Sequence, residues 1–195
     1  MSVNPGRPRD ARLDRALLDA TCELLATQGY AGTTVEAVAR SAGTTKPSLY
    51  RRYAGRAELV VAALLDRFGE DPTHDTGSLR GDLTALQSHQ LRLFADPVLR
   101  GAAGGLIDEV GLDPATGRRF ADRFLAPRRQ ATARILDRAV LRGEIPGGHD
   151  PEWICDLLTG PLLMRALLPG LPPLDEGLAE QTVDAALRVL AAGRE

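Results

Sequence analysis

The 195-residue chain is 44% hydrophobic and 26% charged, a balance that suits a soluble globular protein of one or two modest domains. No apolar run nears 18 residues and no signal-like stretch opens the sequence, so a membrane span and export are not expected and a cytoplasmic protein is. The net charge of −2 divides unevenly: residues 1–68 carry ten Arg/Lys against seven Asp/Glu, residues 69–195 fourteen against nineteen, so positive charge gathers in the first third, where a polyanion would bind.

In chain order, Arg7, Arg9 and Arg12 in GRPRDAR form a basic arm suited to a DNA backbone or minor groove. A first helix is expected from Ala11 to about Thr27, with Leu13, Ala16, Leu17, Ala20, Leu24 and Leu25 on its inner face and Gln28-Gly29-Tyr30 as its exit. Residues 33–56, TTVEAVARSAGTTKPSLYRRYAGR, then predict two short helices around a glycine turn. Thr34 caps the first, whose apolar face is Val35, Val38 and Ala39, and Gly43 supplies the positive φ of the turn. Thr45 caps the second, Pro47 falls in its first turn where no amide proton is needed, and Leu49 lands on the inner face.

Helix, tight turn, helix is a DNA-reading unit whose second helix lies in the major groove. The residues expected at the duplex are Thr34, Thr44, Thr45, Lys46, Ser48, Leu49, Tyr50, Arg51, Arg52, Tyr53 and Arg56. Their hydroxyls and cations reach phosphates and set register, while one or two side chains read base edges. From Thr34 to Leu59 the segment resembles the signature of TetR/AcrR repressors, matching at Val38, Ala39, Ala42, Gly43, Leu49, Tyr50 and Leu59. It departs at Thr44, Arg52, Tyr53 and Arg56, where the family usually has valine, histidine, phenylalanine and lysine. The resemblance spans about residues 10–68 and is only general beyond. It implies an all-α protein with an N-terminal three-helix helix-turn-helix domain and a C-terminal helical ligand-binding and dimerisation domain.

A connecting helix is expected over residues 56–68, with Leu59, Val60, Ala63 and Leu64 apolar, and the break from Gly69 to Gly77 puts the boundary there: 1–68 as DNA-binding head, 69–195 as effector and dimer domain. The second part predicts helices over about 78–95, 98–111, 114–142 (kinked at Pro127), 150–168 and 175–192. The fourth is apolar on more than one side and the fifth carries a stripe from Leu178 to Leu190, so the two are expected to pair across a homodimer.

Effector-lining candidates are Leu86, His89, Leu93, Phe94, Ile107, Phe120, Phe124, Trp153 and Met164, a set suited to a small apolar or aromatic molecule. Gly101, Gly104 and Gly105 either allow close backbone approach or movement or only weaken their helix. His74, His89 and His149 are dispersed without ligand spacing, so no metal or cofactor is expected, and Cys22 and Cys155 are expected as free thiols. Asp108 and Glu109 diverge on a helix, and no nucleophile–base set suggests an enzyme. The reading is a homodimeric repressor on a pseudo-palindromic double-stranded DNA operator, released by a small molecule. A ligand-independent regulator or nucleoid-type binder is the alternative.

Overall fold

The computed structural model describes residues 11–69 and 74–192, and its elements there are helices without a strand. In order they are α1 (Ala11–Gly32), α2 (Val35–Ser41), α3 (Lys46–Tyr50), α4 (Arg56–Phe68), α5 (Leu79–Ala95), α6 (Pro97–Leu112), α7 (Pro114–Phe120), a π-helical turn (Ala121–Leu125), α8 (Ala126–Leu141), α9 (Pro151–Leu167) and α10 (Glu176–Ala192). Arg7 and Arg9 of the basic arm lie outside the described residues.

Two expected helices differ. The first extends to Gly32, but Gly29 inside it has φ 67° and ψ −173°, a conformation open to glycine, which breaks the axis before the last turn. The expected long helix over 114–142 is divided by the π turn at Ala121–Leu125, and Pro127 falls in the first turn of α8. A proline ring crowds the carbonyl four residues back and offers no amide proton, so the preceding turn widens.

Three clusters form the interior. Leu17, Leu24, Val35, Val38, Leu49 and Leu59 close the head around α1–α3 and the start of α4. A second cluster holds Leu83, Leu86, Ile135, Ile154, Leu158 and Leu190 between α5, α8, α9 and α10. The third runs from the head into the body, joining Leu25, Tyr30, Val60 and Leu64 to Leu93, Phe94, Ala102, Leu106 and Leu162.

The body is also clamped by one buried carboxylate. Asp82, fully buried in α5, accepts from the Thr76 amide (2.6 Å), the Thr76 hydroxyl (2.8 Å) and Arg142 (3.1 Å), with Arg138 at 3.6 Å. Beside it Glu144 accepts the Leu79 amide at 2.7 Å, tying the start of α5 to the end of α8. Burial alone would raise the Asp82 pKa, but the Thr76 and Arg142 hydrogen bonds prevail and hold it below the ordinary value. A depressed folded pKa contributes stability above the unfolded value of about 4 and loses it as pH falls through the folded value. Asp82→Asn is therefore expected to cost about 3 kcal/mol in urea unfolding at pH 7, with the gap to the parent narrowing below pH 4.

Candidate nucleic-acid interface and effector cavity

The Thr34 hydroxyl caps α2 by accepting the Ala37 amide at 3.1 Å. Gly43, at φ 64°, turns the chain, and the Thr45 hydroxyl caps α3 by accepting the Ser48 amide at 3.4 Å. Leu49 is the one inward anchor of the five-residue α3 and is wholly buried. Contrary to its expected place at the duplex, a side chain enclosed by α1, α2 and α4 cannot touch DNA, so its role is to seat the helix.

Around that anchor, Thr45, Lys46, Tyr50 and Arg51 are exposed, with Tyr50 at 54%. Ser48 links them, accepting from the Thr45 hydroxyl at 3.2 Å and from Arg51 at 2.7 Å. Lys46 is ion-paired with Glu36 on α2, and this hydrogen bond draws the Glu36 carboxyl below its ordinary range. Thr44 and Tyr53 are half-buried, and Tyr53 packs against the head core.

Two of the expected phosphate-binding arginines are already engaged. Arg52 donates to Asp14 of α1 at 2.7 Å and to the Ser48 carbonyl at 3.3 Å, which fixes the tilt of α3 against α1. Arg56 donates to Glu109 of α6 at 2.5 and 3.1 Å while its guanidinium lies 4.2 Å above the Tyr30 ring. The Tyr30 hydroxyl donates to the same Glu109 oxygen at 2.8 Å. Burial would raise the Glu109 pKa, yet Arg56 and Tyr30 hold it low; burial and the bond to Glu109 push the Tyr30 phenol up. Arg52 and Arg56 thus position the head within the protein.

A seam of glycines brings α6 onto α1. A Cβ on Gly101 would fall 2.0 Å from the Leu25 carbonyl oxygen, and one on Gly105 2.3 Å from the Tyr30 ring. Gly104 faces open space.

The other side of α6 faces a cavity of about 260 Å³. Five expected residues line it: Leu93, Phe94, Ile107, Phe120 and Phe124. Phe120 and Phe124 stack at 5.3 Å between ring centroids, with 14° between planes. Ile107 (49% exposed) and Leu125 (39%) stand at its mouth. Four expected lining residues lie elsewhere. Leu86 points into the second core cluster, and His89 lines a shallow surface recess with Arg67 and Asp96. Trp153 and Met164 are more than half exposed on α9. Periodicity marks a helix face as apolar without saying which neighbour meets it. The cavity's polar members, Gln90, Arg128, Arg129, Cys155, Asp156 and Thr159, were missed, although Gln90 sits in register with Leu86, Leu93 and Phe94 as a polar residue on an apolar stripe.

Cys22 and Cys155 are free, and burial raises both thiol pKa values. Among the described residues no group of three metal-ligating side chains exists, and no helix is long and apolar enough to cross a membrane.

A capped reading helix with an exposed hydroxyl and cationic edge, set on an all-helical body, defines a helix-turn-helix transcription regulator. Residues 17–63 match the family described as bacterial regulatory proteins, tetR family, and residues 73–186 match the tetracyclin repressor-like C-terminal domain. The chain is 36% identical over 182 residues to a DNA-binding transcriptional repressor TetR of Mycobacteroides abscessus, covering 90% of this chain and 92% of that protein. It is 34% identical over 171 residues to an uncharacterized HTH-type transcriptional regulator of Mycobacterium tuberculosis, covering 87% and 82%. A crystal structure of a TetR family transcription regulator superposes with a TM-score of 0.70 at 28% identity, over 90% of this chain and 97% of that one. The chain belongs to the TetR family and is a DNA-binding transcription regulator, not an enzyme.

The glycine seam yields a paired expectation. Gly101→Ala must push α6 from α1 and is expected to cost about 1–3 kcal/mol in urea unfolding. Gly104→Ala, with free space for its methyl, is expected to be neutral or stabilising by up to about 1 kcal/mol.

Proposed function

We propose that the protein is a homodimeric repressor whose residues 1–68 read a pseudo-palindromic operator and whose residues 69–195 bind an effector and pair the protomers. It acts in the cytoplasm. The observation that carries the reading is the exposed N-terminal edge of α3, where Thr45, Lys46, Ser48, Tyr50 and Arg51 lie together on a helix seated by buried Leu49. A helix N-terminus with hydroxyls and cations suits phosphate oxygens, and the outward side chains of one turn reach base edges. Half-buried Thr34, Thr44 and Tyr53 complete the set of residues assigned to the interface. Lys46 must exchange Glu36 for DNA, so the ion pair holds it until a duplex arrives.

The case for a dimer rests on the outer faces of α9 and α10. Trp153, Leu157, Met164 and Leu168 recur along one side of α9 and its C-terminal end, with Trp153, Met164 and Leu168 47–55% exposed, and Val189 adds to them from α10. Large apolar side chains in a row need a partner surface, and a second copy offers the same row across a two-fold axis. Two heads so related meet half-sites one helical turn, or a multiple, apart.

Effector control follows from the two faces of α6. At 100° per residue, Leu99, Ala103 and Leu106 face the cavity, while Gly101, Gly105 and Glu109 face the head. A molecule filling the cavity shifts α6, and the seam with its Arg56–Glu109–Tyr30 latch carries the shift to α1 and α4. Coupling of about 1–3 kcal/mol releases DNA by about 5- to 150-fold.

The reading helix is tested by Lys46→Ala and Tyr50→Ala in gel-shift titration against fragments selected from the source genome. Each is expected to weaken operator binding at least tenfold while melting temperature and sedimentation stay as in the parent. Parent-like binding by both variants would remove α3 from the interface.

A further inference from the structure

Given the cavity as effector site, its lining narrows the effector. We propose that it selects a flat aromatic molecule carrying a carbonyl-type hydrogen-bond acceptor, and that Gln90 reads the acceptor. Gln90 lines the cavity from α5 and is only 3% exposed. Its Oε1 accepts the Thr159 hydroxyl at 3.3 Å, which orients the amide and directs its nitrogen away from that bond. Among the described residues that nitrogen has no partner. An N–H donor without a protein partner on a largely apolar wall favours a ligand that brings an acceptor and disfavours one that leaves the donor bare.

The rest of the lining agrees. Arg129 is neutralised by Glu152 at 2.6 Å and by Asp156. Arg128 donates to the Phe124 carbonyl at 2.8 Å and to the Gly69 carbonyl at 3.0 Å, which fixes its guanidinium at the cavity wall. Its guanidinium lies 3.8 Å over the Phe124 ring, itself stacked on Phe120. That layering leaves a flat apolar face for an aromatic body. Gln90 and the stack therefore read different parts of one molecule.

Fluorenone and fluorene, the same fused skeleton with and without the carbonyl, separate the two parts. Calorimetric titration of the full-length protein is expected to show fluorenone binding about tenfold tighter than fluorene, although fluorene is the more hydrophobic. Gln90→Met, close in volume and lacking the donor, is expected to bring the two within about twofold by weakening fluorenone alone. Phe124→Leu is expected to weaken both alike and preserve the preference, so the question stays answerable if Gln90→Met does not fold. Equal affinities in the parent, a preference that survives Gln90→Met, or no binding of either probe would each overturn the proposal. If the preference holds but fluorenone leaves the protein on its operator, the effector role falls and the Gln90 assignment stands. If both probes release the operator equally, the effector role stands and Gln90 is not the reader.

Discussion

The close approach of α6 to α1 is the constraint from which the rest of the molecule follows. Two glycines four residues apart let the α6 backbone lie where any side chain would strike the Leu25 carbonyl or the Tyr30 ring. With the helices so near, Glu109 reaches both Arg56 and Tyr30, and a single carboxylate joins the start of α4, the end of α1 and the middle of the body. The apolar cluster beneath is continuous, with head residues Leu25 and Val60 packed among body residues Leu93 and Leu106. The head is therefore not tethered by a loose linker, and a displacement of α6 is felt at its base.

This arrangement also decides how the head spends its positive charge. Arg52 is paired with Asp14, Arg56 with Glu109 and Arg67 with Asp96, contacts that orient helices. Exposed Arg40, Lys46 and Arg51 are left facing outward, with Lys46 leaning on Glu36. In the proposed interface few cations of the described residues meet the duplex, so their sequence-independent attraction is weak, and discrimination falls to the hydroxyls and the Tyr50 ring on a short helix. Such a helix has little stability of its own. It keeps its place through the Thr45 cap, the Leu49 anchor and the Arg52–Asp14 pair.

How much of this was legible in the sequence depends on the range of the interaction. Local signals served well: Thr34 and Thr45 cap where a hydroxyl precedes an apolar repeat, and Gly43 takes its positive φ. Non-local partners were invisible. Asp14 lies 38 residues from Arg52 and Glu109 53 residues from Arg56, so the carboxylate beside each arginine could not be seen before the fold supplied it. The cavity was half legible for a related reason, since Leu93, Phe94, Ile107, Phe120 and Phe124 sit on apolar stripes that do line it, whereas the stripe of Trp153 and Met164 faces outward. Gly101 and Gly105 left close approach, movement or a merely weakened helix open; the fold shows that α1 comes close.

The central claim is that one helix is shared by the cavity and the head, so occupancy of one must be felt by the other. The direct test is the affinity of fluorenone for the protein alone and for the protein saturated with its selected operator. Because linkage is reciprocal, operator is expected to weaken fluorenone binding by the same factor, within about 5- to 150-fold, by which fluorenone weakens operator binding. Identical fluorenone affinity in the two states would contradict the account, leaving a DNA-reading head and a cavity that share a helix without exchanging free energy.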